Sequence, residues 1–258
     1  MTRTSFLLTV CFLLIACALP MHATTNCTYN FQSGSGNSFL HYCVTVNGNI
    51  PIITTPDGDS QLASAGEGYG ICGTHGPTRY EDYGTSDTGN WQAPVLLKKT
   101  GTVVEIQRKT ADGHWTLTQT ITKVAKTSSI TVVMALTNNQ SISDGAFLVR
   151  YADPDPEAQT SVFYNASINS AFASGDVLRT DDDTAYLPGL QLQNVGTPQF
   201  GFWQAYVQAG HTGPNACAFS ANSVVPPISQ HPDSIEIAYV DNVPAGATKT
   251  VTLSYHGF

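Results

Sequence analysis

Charge is scarce in this sequence. Of 258 residues, 12% are charged, with 11 Lys and Arg against 19 Asp and Glu, a formal net charge of −8. So few cations exclude nucleic acid as a partner, because that affinity rests on neutralising phosphates. They also argue against an anionic lipid surface. Catalytic signatures are missing too: the chain has no G-x-S-x-G, no H-E-x-x-H and no P-loop. Beyond His22, the histidines His41, His75, His114, His211, His231 and His256 stand singly. No adequate stretch carries the 3.6-residue apolar stripe of a helix.

One apolar run exists, Phe6 to Leu19, behind Arg3. It is shorter than the roughly 20 residues that span a bilayer, and a basic start before a short apolar core reads as a secretory leader. Two cuts compete. One follows Ala23, giving a leader of residues 1–23 and a mature domain of 24–258; the other precedes Cys17, in a lipoprotein-like "LIAC" that would lipidate this cysteine. No second apolar run follows, so no further transmembrane segment is expected. The chain is expected outside the cytoplasm: secreted, periplasmic or lipid-anchored.

Cysteine parity agrees. Beyond Cys11 and Cys17 stand Cys27, Cys43, Cys72 and Cys217. Four thiols in an exported chain most simply form two disulfides. Cys217 must then bridge to the N-terminal third, where the other three lie. A metal reading of "CGTH", Cys72 to His75, lacks a second ligand pair.

The rest alternates with period two. "LHYCVTV" and "IPII" flank Asn-Gly, a hairpin signal. "TVVEIQRKT", "HWTLTQTITKV", "SITVVMALT" and "GAFLVRYAD" read as a four-stranded meander. In it Trp115, Leu117 and Ile121, then Ile130, Val132, Met134 and Leu136, then Phe147, Val149 and Tyr151 face inward, opposite a wet, Thr-rich face. "SIEIAYV" and "KTVTLSYHG" read as a hairpin. "AQTSVFYNASINSAFAS" leans towards strand and loop because it is rich in β-branched residues, Asn and Ser. The expected fold is all-β: one large antiparallel β-sandwich of two packed sheets, stapled by disulfides.

Three places could carry function. The Gly- and Tyr-rich connection from Gly66 to Trp91 holds Tyr69, His75, Arg79, Tyr80, Glu81, Asp82, Tyr83 and Trp91. Flat rings beside carboxylates suit a sugar, whose apolar face stacks on a ring while its hydroxyls bond polar groups. The same residues could instead roof one end of the core. Second, "RYADPDPEA" places Asp153 and Asp155 on alternate positions of a proline-stiffened strand. With Asp181 and Asp183 of "TDDDT" they could hold Ca²⁺, although the spacing fails the EF-hand pattern. Prolines and acids also simply end a strand. Third, "QFGFWQAYV" sets Phe200, Phe202 and Tyr206 opposite Trp203, as a platform or as a strand buried on both faces.

The expectation is therefore an exported, non-catalytic module that needs no cofactor and binds polysaccharide or another envelope partner. The rivals are an enzyme acting on polysaccharide through carboxylates of this set, and a structural envelope lipoprotein without a small ligand. The sequons at Asn26, Asn139 and Asn165 fall within chance for a chain this rich in Asn, Ser and Thr.

Overall fold

Alternation carries most of the chain into strands. The computed structural model describes residues 27–56, 58–75, 78–84, 86–156, 160–165, 169–175, 179–181, 184–209, 213–218, 228–229 and 233–258. In chain order the strands are β1 (Tyr29–Ser33), β2 (Leu40–Val44), β3 (Ile52–Thr54), β4 (Leu62–Gly73), β5 (Arg79–Tyr83), β6 (Ser86–Asp87), β7 (Val95–Lys99), β8 (Val103–Lys109), β9 (Trp115–Lys123) and β10 (Ser129–Asn138). They continue as β11 (Asp144–Pro154), β12 (Thr160–Asn165), β13 (Ser170–Gly175), β14 (Arg179–Asp181), β15 (Thr184–Tyr186), β16 (Gly189–Asn194), β17 (Phe202–Ala209), β18 (Ile228–Ser229), β19 (Asp233–Val243) and β20 (Thr248–Gly257). Among the described residues the only helical element is a single 3-10 turn, Gly36–Ser38. None is a helix long and apolar enough to cross a membrane.

Two antiparallel sheets dominate. A nine-stranded sheet runs β18-β12-β13-β16-β20-β10-β9-β8-β7, and a six-stranded sheet runs β17-β19-β11-β4-β5-β6. Between them lies the core. Val104, Ile106, Leu117, Ile121, Val132, Met134 and Leu253 of the larger sheet pack with Ile71, Leu148, Ile235 and Ile237 of the smaller, all fully buried. A smaller sheet, β1-β2-β3, adds its own apolar face, including Phe31 stacked on Tyr42 at 4.9 Å. The two disulfides form as Cys27–Cys43 and Cys72–Cys217, as cysteine parity requires. They are compatible with an extracellular or periplasmic location.

Partner choice departs from the sequence reading in two places. The meander keeps β8, β9 and β10 together, but its fourth strand, β11, crosses to the other sheet and pairs with β19 and β4. Likewise β19 and β20 do not pair with each other: β19 joins β17 and β11, and β20 joins β10 and β16. A hairpin within a sheet and an arch between sheets share one sequence pattern, alternation on both sides of a turn. Which is formed depends on the apolar faces that meet across the sandwich. The crossing inverts the expected facing of β11. Ala146, Leu148 and Ala152 enter the core, while Phe147 and Val149 belong to a second cluster on the outer face, with Tyr206, Ala216 and Ala238. The strand from "QFGFWQAYV" is also not central, since β17 edges the six-stranded sheet and Phe202 is 43% exposed.

The turn between β2 and β3 is buried rather than exposed. Asn47, Asn49 and Ile50 are each at most 4% exposed, and Gly48 takes φ 92°, which a side chain would resist. This turn plugs the interior between two buried arginines. Arg150 of β11 pairs with Glu67 of β4, and its guanidinium reaches Gln119 of β9 and the Gly48 carbonyl. Glu67 Oε1 accepts from Tyr255 of β20 at 2.7 Å, and Oε2 accepts from the Ile50 amide at 2.6 Å. Arg108 of β8 pairs with Asp82 of β5 and with Asp87 at 3.2 Å, beneath the Trp91 ring at 4.9 Å. Each arginine thus ties one sheet to the other.

Candidate functional site

The five consecutive candidates Arg79, Tyr80, Glu81, Asp82 and Tyr83 lie on one strand, β5, and a strand sends alternate residues to opposite faces. Tyr80 and Asp82 turn into the core, 2% and 0% exposed. Tyr69 on β4 and Trp91 join them, with Trp91 edge-on to Tyr69 at 5.5 Å and to Tyr80 at 6.1 Å. These three rings roof the core. Burial pushes the Asp82 carboxyl up, and although Arg108 opposes this, the group reaches about 7. Arg79, Glu81 and Tyr83 point the other way, to the outer face of the six-stranded sheet.

The connection from Gly66 to Trp91 is thus largely ordered as the end of β4, β5 and β6. Its glycines fall on alternate positions of β4, where Gly68 and Gly70 leave the outer face bare. A Cβ at Gly68 would lie 2.1 Å from the Asp82 carbonyl oxygen, so that neighbouring backbone would have to shift. We expect Gly68→Ala to cost about 1–3 kcal/mol, the range for overpacking, read as a lower midpoint in denaturant melts.

Strand register builds three rows across this outer face. The first is Tyr83, Gly68, Tyr151, Glu236 and Tyr206; the second is Glu81, Gly70, Val149, Ala238 and Gln204; the third is Arg79, Cys72, Phe147, Val240 and Phe202. A strap, residues 213–218, lies over the first two rows. Its Ala216 amide donates to Glu81 Oε1 at 3.0 Å, its Asn215 side chain accepts from Arg79, and Cys217 is bonded to Cys72. Gly213 takes φ 78° against the Tyr83 ring, where a Cβ would come within 2.3 Å. Beneath the strap Tyr151, Glu236 and Tyr206 are buried. The Tyr206 hydroxyl donates to Glu236 Oε2, while Glu236 Oε1 has no hydrogen-bond partner among the described residues.

Burial pushes the Glu236 carboxyl well above the usual carboxylate range; the Tyr206 hydrogen bond opposes this and Glu81 adds to it. Burial also raises Glu81, against the pull of Arg79 and the Ala216 amide. The Tyr206 and Tyr151 phenols are likewise raised by burial, with Glu236 adding to both and Asp153 to Tyr151, so both stay neutral. A carboxyl raised in the fold keeps its proton while the unfolded chain loses it above roughly pH 4.3. Its contribution is therefore intact below that pH and is lost as pH rises towards the folded value. Glu236→Gln should flatten this part of the stability profile, in melts taken from pH 4 upward. An unchanged slope would show that Glu236 titrates normally.

The remaining candidates fall elsewhere. His75 is exposed, with Nδ1 2.8 Å from Asp144 Oδ1. Burial pushes Asp144 up, but hydrogen bonds from His75, Gln140 and Thr74 outweigh it and hold the carboxyl below its ordinary value. Asp153 is buried near the end of β11, and Asp155 is exposed beyond it. Asp181 lies in β14 with its side chain outside the described set, and Asp183, the expected leader and Cys17 are outside the described residues. Among the described residues no three His, Cys, Asp or Glu side chains group as a metal site would.

Sequence reasoning missed Glu236 as a site residue, and it named Tyr206 only as part of the "QFGFWQAYV" strand, not as its partner. The signal for Glu236 was available: a glutamate centred in the apolar strand "SIEIAYV" needs a reason to be buried.

At the β17 edge the outer face opens. Asn169, Gly201, Phe202, Trp203 and Gln204 line a cavity of ≈ 500 Å³. Phe202 is exposed, Gln204 is half-buried, and the buried Trp203 Nε1 has no acceptor among the described residues.

No family model matches the sequence, and no curated protein matches it. Solved structures do resemble it. A bacterial glucoamylase complexed with acarbose aligns with TM-score 0.52 at 7% identity, over 91% of this chain and 32% of that one. A heparan sulfate lyase from Pedobacter heparinus aligns with TM-score 0.50 at 8% identity, over 92% and 36%. A polysaccharide lyase aligns with TM-score 0.49 at 14% identity, over 87% and 33%. The structural neighbours are domains of carbohydrate-active enzymes. The chain spans about a third of the length of each of these three, and at such identities the likeness is one of fold.

Proposed function

We propose that this chain binds neutral carbohydrate at the β17 end of the outer face. The observation that carries the reading is the exposed Phe202 beside Gln204, Asn169 and the Trp203 indole around one open cavity. A pyranose offers an apolar face to an aromatic ring and hydroxyls to amides, and this set supplies both partners. The half-buried Phe147 and Val240, in the same row as Phe202, extend the apolar surface for a second sugar unit. A net charge of −8 disfavours sulfated or uronic glycans, so the ligand class is neutral. The fold shared with a glucoamylase domain supports a carbohydrate ligand.

Phe202→Ala should weaken binding to neutral oligosaccharides by roughly tenfold, about 1.4 kcal/mol. Its melting point should barely move, since surface changes stay within about 0.5 kcal/mol. Calorimetric titration against a panel of neutral and acidic glycans checks the first, and thermal melts check the second. Equal affinity in the variant, or binding confined to acidic glycans, would refute the assignment.

A further inference from the structure

The outer face of a sandwich sheet is ordinarily wet, with its charged groups in water. Here that face instead buries Glu81, Tyr151, Asp153, Tyr206 and Glu236, outside the core that holds the two sheets together. Leaving a buried acceptor such as Glu236 Oε1 unmatched costs about 1–3 kcal/mol, and more for a charged group. The apolar cluster of Val149, Tyr206, Ala216 and Ala238 packs here, but a buried carboxyl with an unmatched oxygen is an arrangement that clusters at functional sites.

We propose that Glu236 and Glu81 form an acid–base pair that hydrolyses a glycosidic bond, in a trough that the 213–218 strap covers until substrate displaces it. This rests on the carbohydrate reading above, because the trough continues from the Phe202 cavity along β17: Phe202, Gln204 and Tyr206 lie on one face of that strand.

The trough has a bare floor. Gly68 and Gly70 carry no side chain, and above Gly70 the space is filled by Pro214 and Ala216 of the strap and by the Glu81 side chain, which leans over it at 3.1 Å. With the strap lifted, the furrow lies between Glu81 on β5 and Glu236 on β19. These strands are three spacings apart, about 14 Å between backbones. Glu81 also sits one row along from Glu236, so both side chains must reach inward across the furrow for the carboxyls to come within the roughly 5–9.5 Å that paired carboxyls need around a glycosidic bond. Apart from the Cys72–Cys217 tether, the polar contacts of the strap with the trough include those to Glu81 and Arg79. Sugar hydroxyls can replace both.

The roles follow from the surroundings. Glu236 is held protonated and has only the neutral phenols of Tyr206 and Tyr151 beside it in its row, so it is the acid. Glu81 faces Arg79 of its own strand at 3.2 Å, a partner that remains when the strap lifts and favours the carboxylate, so it is the base. Glu236 gives its proton to the glycosidic oxygen, the C1–O bond breaks, and the leaving sugar departs as an alcohol. Water adds to C1 and passes a proton to Glu81. Exchange of that proton with solvent, and re-protonation of Glu236, restore both groups. One water is consumed per bond cleaved.

The test uses the mature chain with disulfides intact, a panel of neutral polysaccharides, and two readouts: binding, and release of reducing ends. The wild type should bind and release. Glu236→Gln should bind with unchanged affinity and lose turnover at least a hundredfold. In the wild type, turnover should fall on the alkaline side as Glu236 loses its proton, at pH values where melts show the fold still intact, which separates it from the structural loss. Should Glu236→Gln not fold, Glu81→Gln, beside the exposed Arg79, carries the same test. Binding without reducing ends from the wild type overturns the acid–base pair and leaves the binding reading standing. Turnover that survives Glu236→Gln also overturns it. Absence of binding across the panel overturns both.

Discussion

Arg150→Ala is expected to cost about 3–5 kcal/mol, the range for breaking a buried ion pair from one side. At roughly 2–4 °C per kcal/mol for a domain of this size, the melting point should fall by some 6–20 °C. Both partners, Arg150 and Glu67, are 0% exposed. Removing the guanidinium leaves a buried carboxyl facing the Tyr255 hydroxyl and the Ile50 amide, with Gln119 and the Gly48 carbonyl without their donor. Burial already raises the Glu67 carboxyl against the pull of Arg150. Without Arg150 it should protonate at neutral pH, which softens the loss without cancelling it. The double change Arg150→Met with Glu67→Leu should recover most of the stability, because replacing both members leaves no orphaned charge. A loss below about 1 kcal/mol for Arg150→Ala alone would show that the network does not tie the sheets together.

The second large effect is expected from Cys72→Ala with Cys217→Ala. The bridge closes 145 residues of chain, against 16 for Cys27–Cys43. Loop-closure entropy gives about 3 kcal/mol for a 15-residue loop and about 4.7 for a 100-residue loop, so the long bridge should contribute more. Opening it should lower stability by about 2–5 kcal/mol, measured in guanidinium melts of the two double variants side by side. It should also free the strap. Glu81 then loses the Ala216 amide and gains water, and the amides of Gly68 and Gly70 beneath should exchange with solvent faster than in the Cys27→Ala, Cys43→Ala protein. Equal losses for the two bridges would contradict the chain-entropy ordering. Unchanged exchange at Gly68 and Gly70 would show that the strap is held without Cys217.

Most of the fold was legible because alternation is local. The inward sets of β9 and β10 were readable, Trp115, Leu117 and Ile121 with Ile130, Val132, Met134 and Leu136, since a strand fixes which residues share a face. Sheet membership was not legible. The turns after β10 and β19 carry no mark that distinguishes an arch from a hairpin, and the choice is made by long-range packing. The candidate site was half legible for the same reason. Composition brought Arg79, Glu81 and Tyr83 to notice together with Tyr69, Tyr80, Asp82 and Trp91, but only pairing of β5 with β4 divides them between two faces. The glycines of "GEGYG" read as part of a connection; they make a bare strand face only through the pairing of β4, and the strap that fills it lies some 145 residues further on, joined to it by Cys72–Cys217. Contacts at that separation leave no periodic trace in the sequence.

The most direct measurement is a backbone-amide NMR titration of residues 24–258 with the neutral oligosaccharide that binds best in the panel. Shifts should concentrate on Gly201 to Gln204, Asn169, Val240 and Phe147, around the Phe202 cavity and along the third row of the outer face. Shifts concentrated instead on β7 to β9 of the larger sheet, or around His75 and His114, would contradict a carbohydrate site on the six-stranded sheet.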